Sequence, residues 1–457
     1  MNIVSINPSN NQRIGDVIVA NSDEVKQKVA LARNACIDWA NIGIEGRNLH
    51  LKSFFKLLAQ NKEDFAHIAA QEMGMPLSQA RDDVDFSLEY LHWYADNAQT
   101  YLNPEITHED ADSIDMVYRE PYGVAAVIIP WNFPFSNFVW QCGQNLVAGN
   151  TIVCKPSEEV PLFTELMEKV VAKSSLPKGV LNFLIGDGEV GKLLVQQDID
   201  LICFTGSTNV GEYLYQEAAK KFIPIVMELG GSAPGIVFAD ADFDVAASMI
   251  VANRFGNSGQ ICDGLKRLLV HTSAKDALIA SLKKAMDAMV IGDALSDATT
   301  MGPLVAKRQV EVVAQQLDDA LKHGAQIVYE KNIPNNLSGA YFAPTLLDNI
   351  SPEMRLWREE VFGPVLPIMT FETEAEAIAL ANDTAYGLGG YVFTNNVELF
   401  NRVAAALKTG MVSHNDCNYV KPQNPFGGYK RSGLGREHGK YGFYDVTQVK
   451  VISRRKK

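Results

Sequence analysis

The six cysteines of this 457-residue chain (Cys36, Cys142, Cys154, Cys203, Cys262 and Cys417) form no Cys-x-x-Cys pair, a spacing that speaks against a zinc site and against a disulfide framework. The eight histidines show no ligand spacing either, so no metal is expected. Positive charge is in deficit: 41 Lys and Arg against 54 Asp and Glu leave a net charge of −13, whereas a nucleic-acid partner needs a basic face. The one basic run, Arg454-Arg455-Lys456-Lys457, reads as a solvated chain end. No apolar run approaches bilayer length. The opening Met1-Asn2-Ile3-Val4-Ser5 has no basic segment leading into an apolar one. Scattered free thiols suit a reducing compartment, so a cytoplasmic location is the expectation.

What is present fits a globular enzyme: 47% hydrophobic and 21% charged residues, in a chain long enough for two or three domains. The first ~100 residues read as helical. Asn21 and Glu24 resemble a capping box, followed by Val25, Val29 and Ala32 at helical spacing. Gly74-Met75-Pro76 then breaks the pattern. From Tyr122 the rhythm changes to apolar strands at 124–129, 151–154, 180–185, 201–205 and 223–227, separated by helical stretches. A second αβ series begins at Gly235. Alternation of this kind implies doubly wound parallel sheets of the α/β class. The boundary between the two series is expected near Gly230-Gly231, and the polar stretch from Asn103 to Arg119, with the alternation of Val446, Val449 and Val451, forms an accessory hairpin-and-strand unit.

The tetrad Gly259-Gln260-Ile261-Cys262 sets one thiol just after a glycine-bearing turn, where backbone N–H groups can crowd around sulfur. Such a thiol can attack a carbonyl, and its own N–H can hold the resulting oxyanion. Taken alone, a cysteine is more often inert filling, and this one acts only if its surroundings favour the thiolate. Asn132 follows a buried strand and precedes a helix; its amide can donate to an oxyanion or cap the helix. Glu228 ends an apolar strand ahead of two glycines, a costly place for a carboxylate without a task or a partner. The stretch Gly206 to Gly211 is a Gly-x-x-x-x-Gly turn between strand and helix, by itself a weak signal.

Taken together, Pro130-Trp131-Asn132-Phe133-Pro134, Phe204 to Gly211, Glu228-Leu229-Gly230-Gly231, the Cys262 tetrad and Glu359-Glu360-Val361-Phe362-Gly363-Pro364 resemble the NAD(P)-dependent aldehyde dehydrogenase superfamily from about Asn7 to about Val451. The resemblance implies a cofactor domain over 1–102 and 121–230, a catalytic domain over 231–425, and an oligomerisation unit over 103–120 and 440–457 that joins a homodimer or homotetramer. It implies Cys262 as nucleophile and Asn132 with the Cys262 N–H as oxyanion donors. Glu228 becomes the base that activates water for thioester hydrolysis, so that a free acid is released. Gly206, Ser207 and Gly211 match the pyrophosphate turn, and Trp131 falls among the cofactor contacts. Lys155 and Glu158 match the adenine-ribose positions, where a carboxylate favours NAD over NADP. Glu360 and Phe362 match the nicotinamide side, and Phe426, in the closing signature Pro425 to Gly433, is a candidate for lining the active site.

Several details resemble the succinate-semialdehyde dehydrogenase branch: Gly74-Met75-Pro76-Leu77, Gln79-Ala80-Arg81, Trp93-Tyr94-Ala95 and Ser232. Members of that branch commonly carry an arginine eight residues beyond the motif asparagine to hold the distal carboxylate. Here that position is Trp140, followed by Gln141. The tryptophan resembles enzymes for apolar or neutral aldehydes, while Arg254 and Arg431 are the substitutes to examine. NAD-dependent oxidation of an aldehyde is the leading reading, with succinate semialdehyde as the alternative substrate and a cofactor-independent thiol hydrolase as the other class.

Overall fold

The computed structural model describes residues 2–456; Met1 and Lys457, which end the first and last expected spans, lie outside the described residues. The first sheet has the strand order Gly433–Leu434, Ile225–Glu228, Leu201–Thr205, Val124–Ile129, Thr151–Pro156, Leu181–Phe183. Its last five strands run parallel. Their buried, β-branched-rich sequences are what a sheet covered on both faces requires. From the central strand Val124–Ile129 the chain moves first to one side, through Thr151–Pro156, and later to the other, through Leu201–Thr205. The gap between Val124–Ile129 and Leu201–Thr205 is therefore a topological switch point, where loops leaving the strand ends part and open a crevice.

The helix Pro134–Ala148 leaves that crevice with Pro134 in its first turn and ends at Gly149 in the left-handed region (φ 108°), as proline and glycine are suited to do. Asp83 caps it from outside, accepting from the Ser136 hydroxyl and from the N–H groups of Phe135 and Ser136. Burial raises the Asp83 pKa to about 6. The helices Gly43–Gln60, Lys62–Met73 and Leu77–Leu102 cover it, with Phe54 edge-on to Phe138 at 6.5 Å. Each of these fully buried rings contributes about 1.5–3 kcal/mol.

The N-terminal region departs from the helical reading. Asn2–Asn7 and Gln12–Ile18 form an antiparallel hairpin before the first helix. Alternation is muted because much of both strands faces outward. The hairpin is tied down by Ser5, whose hydroxyl donates to Glu72 at 2.7 Å. Beyond it the expectation holds: Asn21 caps Ser22–Asn41 through the N–H groups of Asp23 and Glu24, and Val25, Val29 and Ala32 are buried.

The chain changes sheet between Glu228 and Ala233, at Gly230-Gly231. The second sheet runs Gln326–Glu330, Thr345–Asp348, Val365–Phe371, Leu265–His271, Ala233–Val237, Tyr391–Phe393, Ser413–His414, parallel except for its first strand. One connection lies outside the expected boundaries: after 425 the chain returns to the first sheet, where Gly433–Leu434 pairs antiparallel with Met227 and Glu228. Thr447–Arg455, Ser113–Pro121 and Glu105–Glu109 form a separate three-stranded antiparallel sheet in that order, the accessory unit expected from the polar stretch and the C-terminal alternation.

Candidate active site

A cavity of ≈ 840 Å³ opens where the carboxyl ends of the first sheet's strands meet the loops that lead into the second sheet. Trp131 and Asn132 follow Val124–Ile129, Gly206 and Ser207 follow Leu201–Thr205, and Glu228 ends its own strand. From the opposite side come Cys262, ahead of Leu265–His271, and Glu360 and Phe362, ahead of Val365–Phe371. Residues more than a hundred positions apart thus share one wall because strand ends, and not sequence neighbours, build the site.

The loop before Cys262 is held in an uncommon backbone. Asn257, Ser258 and Gly259 lie consecutively in the left-handed region (φ 46°, 57° and 77°). Asparagine and glycine tolerate that region, whereas serine is strained there. Partners on every side fix the turn. The Asn257 N–H donates to Gln79 Oε1 at 3.0 Å and its amide donates to the Asn132 carbonyl at 2.7 Å. The Ser258 hydroxyl donates to the Gly302 carbonyl at 2.7 Å. Arg254, fully buried, donates to the carbonyls of Val361, Gly363 and Val365. Gly259 approaches the Gly363 carbonyl so closely that a Cβ would collide with it. The result is a thiol delivered half-buried into the cavity.

Burial, with Asp263 next to it, raises the Cys262 pKa well above its ordinary value, and Lys266 offsets this only in part. The expectation that the surroundings favour the thiolate is not met in this form. A base must take the proton when the thiol reacts. Asn132 donates one amide N–H to the Gln260 carbonyl at 2.9 Å, and an amide carries a second.

Glu228 is 2% exposed, and neither of its carboxyl oxygens has a hydrogen-bond partner. Burial and the nearby Glu437 raise its pKa well above the usual carboxylate range, against the pull of Arg436. Glu437 is itself buried and accepts from Gln141, whose amide also donates to Thr205 Oγ1 at 2.7 Å. Burial brings the Glu437 pKa up to about 8. A buried carboxyl left without partners beside a thiol is what proton transfer at a reacting centre requires.

On the other flank, Glu360 accepts from Lys266 Nζ at 2.7 Å and from the Gly231 N–H at 3.1 Å. The Phe362 ring stands edge-on to Trp131 at 5.7 Å. Ser207 caps the helix Thr208–Lys221, so that helix presents its start to the cavity beside Gly206. A side chain on Gly230 would run into the Glu360 carboxylate. A helix start, a carboxylate held ready to accept hydroxyls and an aromatic edge fit a dinucleotide: the first suits a pyrophosphate and the second a ribose.

The chain matches the aldehyde dehydrogenase family over residues 1–452. It belongs to that family. It is 34% identical to the succinate-semialdehyde dehydrogenase [NADP(+)] of Escherichia coli over 98% of this chain and 93% of that protein. It is 36% identical to the betaine aldehyde dehydrogenase of Bacillus subtilis over 99% of this chain and 94% of that protein. Among solved structures it superposes on a betaine aldehyde dehydrogenase of Staphylococcus aureus in complex with NAD+ with a TM-score of 0.95, at 32% identity over 99% of this chain and 91% of the other. Aldehyde oxidation with NAD or NADP is the reaction of this chain.

Not every expected residue of this aldehyde dehydrogenase reaches the cavity wall. Gly211 lies one turn into its helix, where a Cβ would press on Leu229. Lys155 is 3% exposed and donates to the Pro156 carbonyl at 2.9 Å, with Glu158 3.8 Å away at the surface side. Burial lowers the Lys155 pKa, and Glu158 opposes that shift. Phe426 stands behind Trp140 at 5.2 Å between ring centres, while Trp140 itself lines the cavity. Arg254 is committed to backbone carbonyls, and Arg431 pairs with Glu212 at the surface. Neither faces the substrate space.

Asp83, Gln141, Lys266 and Glu437 escaped functional assignment in the sequence. Gln141 follows Trp140 on the helix, but nothing local signals that it meets Glu437, 296 positions on. Lys266 lies in an apolar strand, Leu265–His271. Cations in such a strand, here Lys266 and Arg267, signal buried partners, and that of Lys266 is Glu360. Among the described residues no cluster of His, Cys, Asp and Glu suits a metal, and no helix is long and apolar enough to cross a membrane.

Proposed function

We propose that Cys262, Glu228 and Asn132 carry the oxidation and that the product leaves as a free carboxylic acid. The Cys262 sulfur forms a bond to the aldehyde carbon while Glu228 accepts the thiol proton, directly or through a water. The carbonyl π electrons move to oxygen, where the free Asn132 amide N–H and the Cys262 N–H stabilise the alkoxide. When bound, the nicotinamide of NAD(P) supplies the acceptor for the hydride that the tetrahedral adduct expels. Collapse of the alkoxide leaves a thioester on Cys262. Glu228 gives up the first proton to solvent; water then adds to the thioester as the ionised Glu228 takes its proton, the C–S bond breaks, and that proton returns to sulfur to regenerate the thiol.

The unpartnered, buried Glu228 carboxyl beside the Cys262 cavity carries this reading. Replacing Cys262 by alanine tests it: turnover of aldehyde with NAD or NADP should vanish, and unchanged turnover would overturn it. Ser207 and the helix start behind it would hold the pyrophosphate, Glu360 the nicotinamide ribose, and Trp131 and Phe362 would border the ring. Glu158 supports a preference for NAD: it stands beside Lys155, and a 2′-phosphate placed there meets like charge. Comparing kcat/KM for the two dinucleotides, and again in Glu158→Ser, checks this.

Two further parts of the reading concern assembly and place. The exposed strand Thr447–Arg455 edges its three-stranded sheet and presents Val449, Val451 and Ile452 to the outside. An open apolar edge of that kind supports a homodimer or homotetramer joined there. All six cysteines are free, which supports a reducing, cytoplasmic setting.

A further inference from the structure

Resting on the reading of the cavity as an aldehyde oxidation site, we propose that it selects aldehydes whose distal end carries no negative charge. Uncharged or ammonium-bearing tails enter the space beside Trp140, and tails ending in a carboxylate are rejected.

Charge is the first ground. Among the described residues no arginine, lysine or histidine lines the cavity, whereas Asp82, Asp83, Glu228, Asp263 and Glu360 do. Three buried or half-buried cations around it are spent elsewhere. Lys266 is 1% exposed and pairs with Glu360. Arg254 serves the carbonyls around Gly363. Arg436 donates to the Gly428 and Gly435 carbonyls at 3.2 and 2.6 Å. His438, packed against Trp140 with its rings 4.6 Å apart, is kept neutral by burial, its pKa lowered to about 3. A carboxylate brought into this space would shed water and meet like charge without a counter-ion.

The second ground is the wall itself. Trp140 stacks on the fully buried Tyr90 at 5.8 Å and 27° and leans on Phe426. The same apolar cluster takes in Cys262 and Val420. The surface next to the nucleophile is thus aromatic and aliphatic, suited to an apolar stem, and the tryptophan face attracts a cation. The one polar atom of Trp140, its indole N–H, is buried without a partner. That single neutral donor brings no positive charge to offset a carboxylate.

The test is kcat/KM of the full-length enzyme, with each dinucleotide, for three aldehydes of equal chain length: succinate semialdehyde, butanal and 4-trimethylammoniobutanal. Butanal and the ammonium aldehyde are expected to exceed succinate semialdehyde by about 100-fold. Equal or better use of succinate semialdehyde would overturn the inference and leave aldehyde oxidation standing. No turnover of any of the three would overturn both. Trp140→Arg should shift the succinate semialdehyde-to-butanal ratio upward by about tenfold, and a constant ratio counts against Trp140 as the selecting wall. Product inhibition of the unaltered enzyme needs no variant: butyrate should bind more tightly than succinate, and the reverse order overturns the proposal.

Discussion

Glu437 and Glu228 form a buried carboxyl pair in which each is removed from water and the presence of Glu437 raises the Glu228 pKa. Gln141, a neutral donor, serves Glu437 where a cation would have drawn it toward ionisation. The pair therefore holds a proton through neutral pH, and its titration belongs to both members.

A pH dependence follows. The base form of Glu228 is the ionised one, and its pKa is raised, so the rate of thioester hydrolysis should keep climbing with pH beyond the usual carboxylate range. Glu437→Gln removes the like charge that opposes ionisation of Glu228. The ascending limb of kcat against pH should then move to lower pH, while the amide oxygen introduced by the substitution can still accept from Gln141. A limb that stays in place, or moves upward, would separate the two carboxyls functionally.

The same raised pKa bears on stability with a definite sign. Glu437 ionises near its ordinary value when unfolded and at about 8 when folded. The folded state binds the extra proton between those values, so this carboxyl's contribution to stability falls as pH rises through that window and levels off above it. Glu437→Gln should flatten that fall, as read from urea midpoints taken from about pH 6 to about pH 9, on either side of the folded-state value.

Glu228→Gln isolates the second half-reaction. Steady-state turnover should drop by about 10²–10⁴-fold, while rapid mixing still yields a burst of reduced dinucleotide, since a water can accept the thiol proton at a slower rate. Loss of the burst together with turnover would make Glu228 indispensable to thiol activation and would overturn its main assignment to the second half-reaction.

Asn132→Ala should lower kcat by about 10²–10³-fold. The Asn132 carbonyl, which receives the Asn257 amide, belongs to the backbone and survives the change. The Gln260 carbonyl loses its amide donor, so unfolding free energy should fall only modestly, by about 1–3 kcal/mol. A large loss of Tm with a proportionate loss of activity would make Asn132 structural.

Arg254→Met addresses the loop. Its guanidinium serves the carbonyls of Val361, Gly363 and Val365, and removing it strands several buried acceptors. A loss of about 3–4 kcal/mol in unfolding free energy is expected. No change in aldehyde preference is expected, because Arg254 does not face the substrate space. A selective effect on acidic aldehydes would reverse that assignment.

The parts of this fold that could be read from sequence are those whose burial is continuous along the chain. Val124–Ile129 and Leu201–Thr205 are apolar runs bounded by Pro130 and Gly206, and both strands lie where the pattern put them. Cys262, Glu228 and Asn132 share a cavity, as the motifs implied. The hairpin Asn2–Ile18 was hidden because its outward-facing strands carry little alternation. Glu437, Gln141 and Lys266 were hidden for another reason: their meaning lies in partners that only the tertiary arrangement supplies. The thiol's protonation is set by burial, which local sequence, showing only a turn, does not carry.

The pairing of Gly433–Leu434 with Met227 and Glu228 has a consequence for biosynthesis. The strand bearing the proposed base leaves the ribosome roughly 200 residues ahead of the segment that seals its outer edge. Until then a nascent chain carries an uncovered sheet margin that invites mispairing. Completion of this centre waits on that later segment, and no fragment cut at Gly230 would reproduce it.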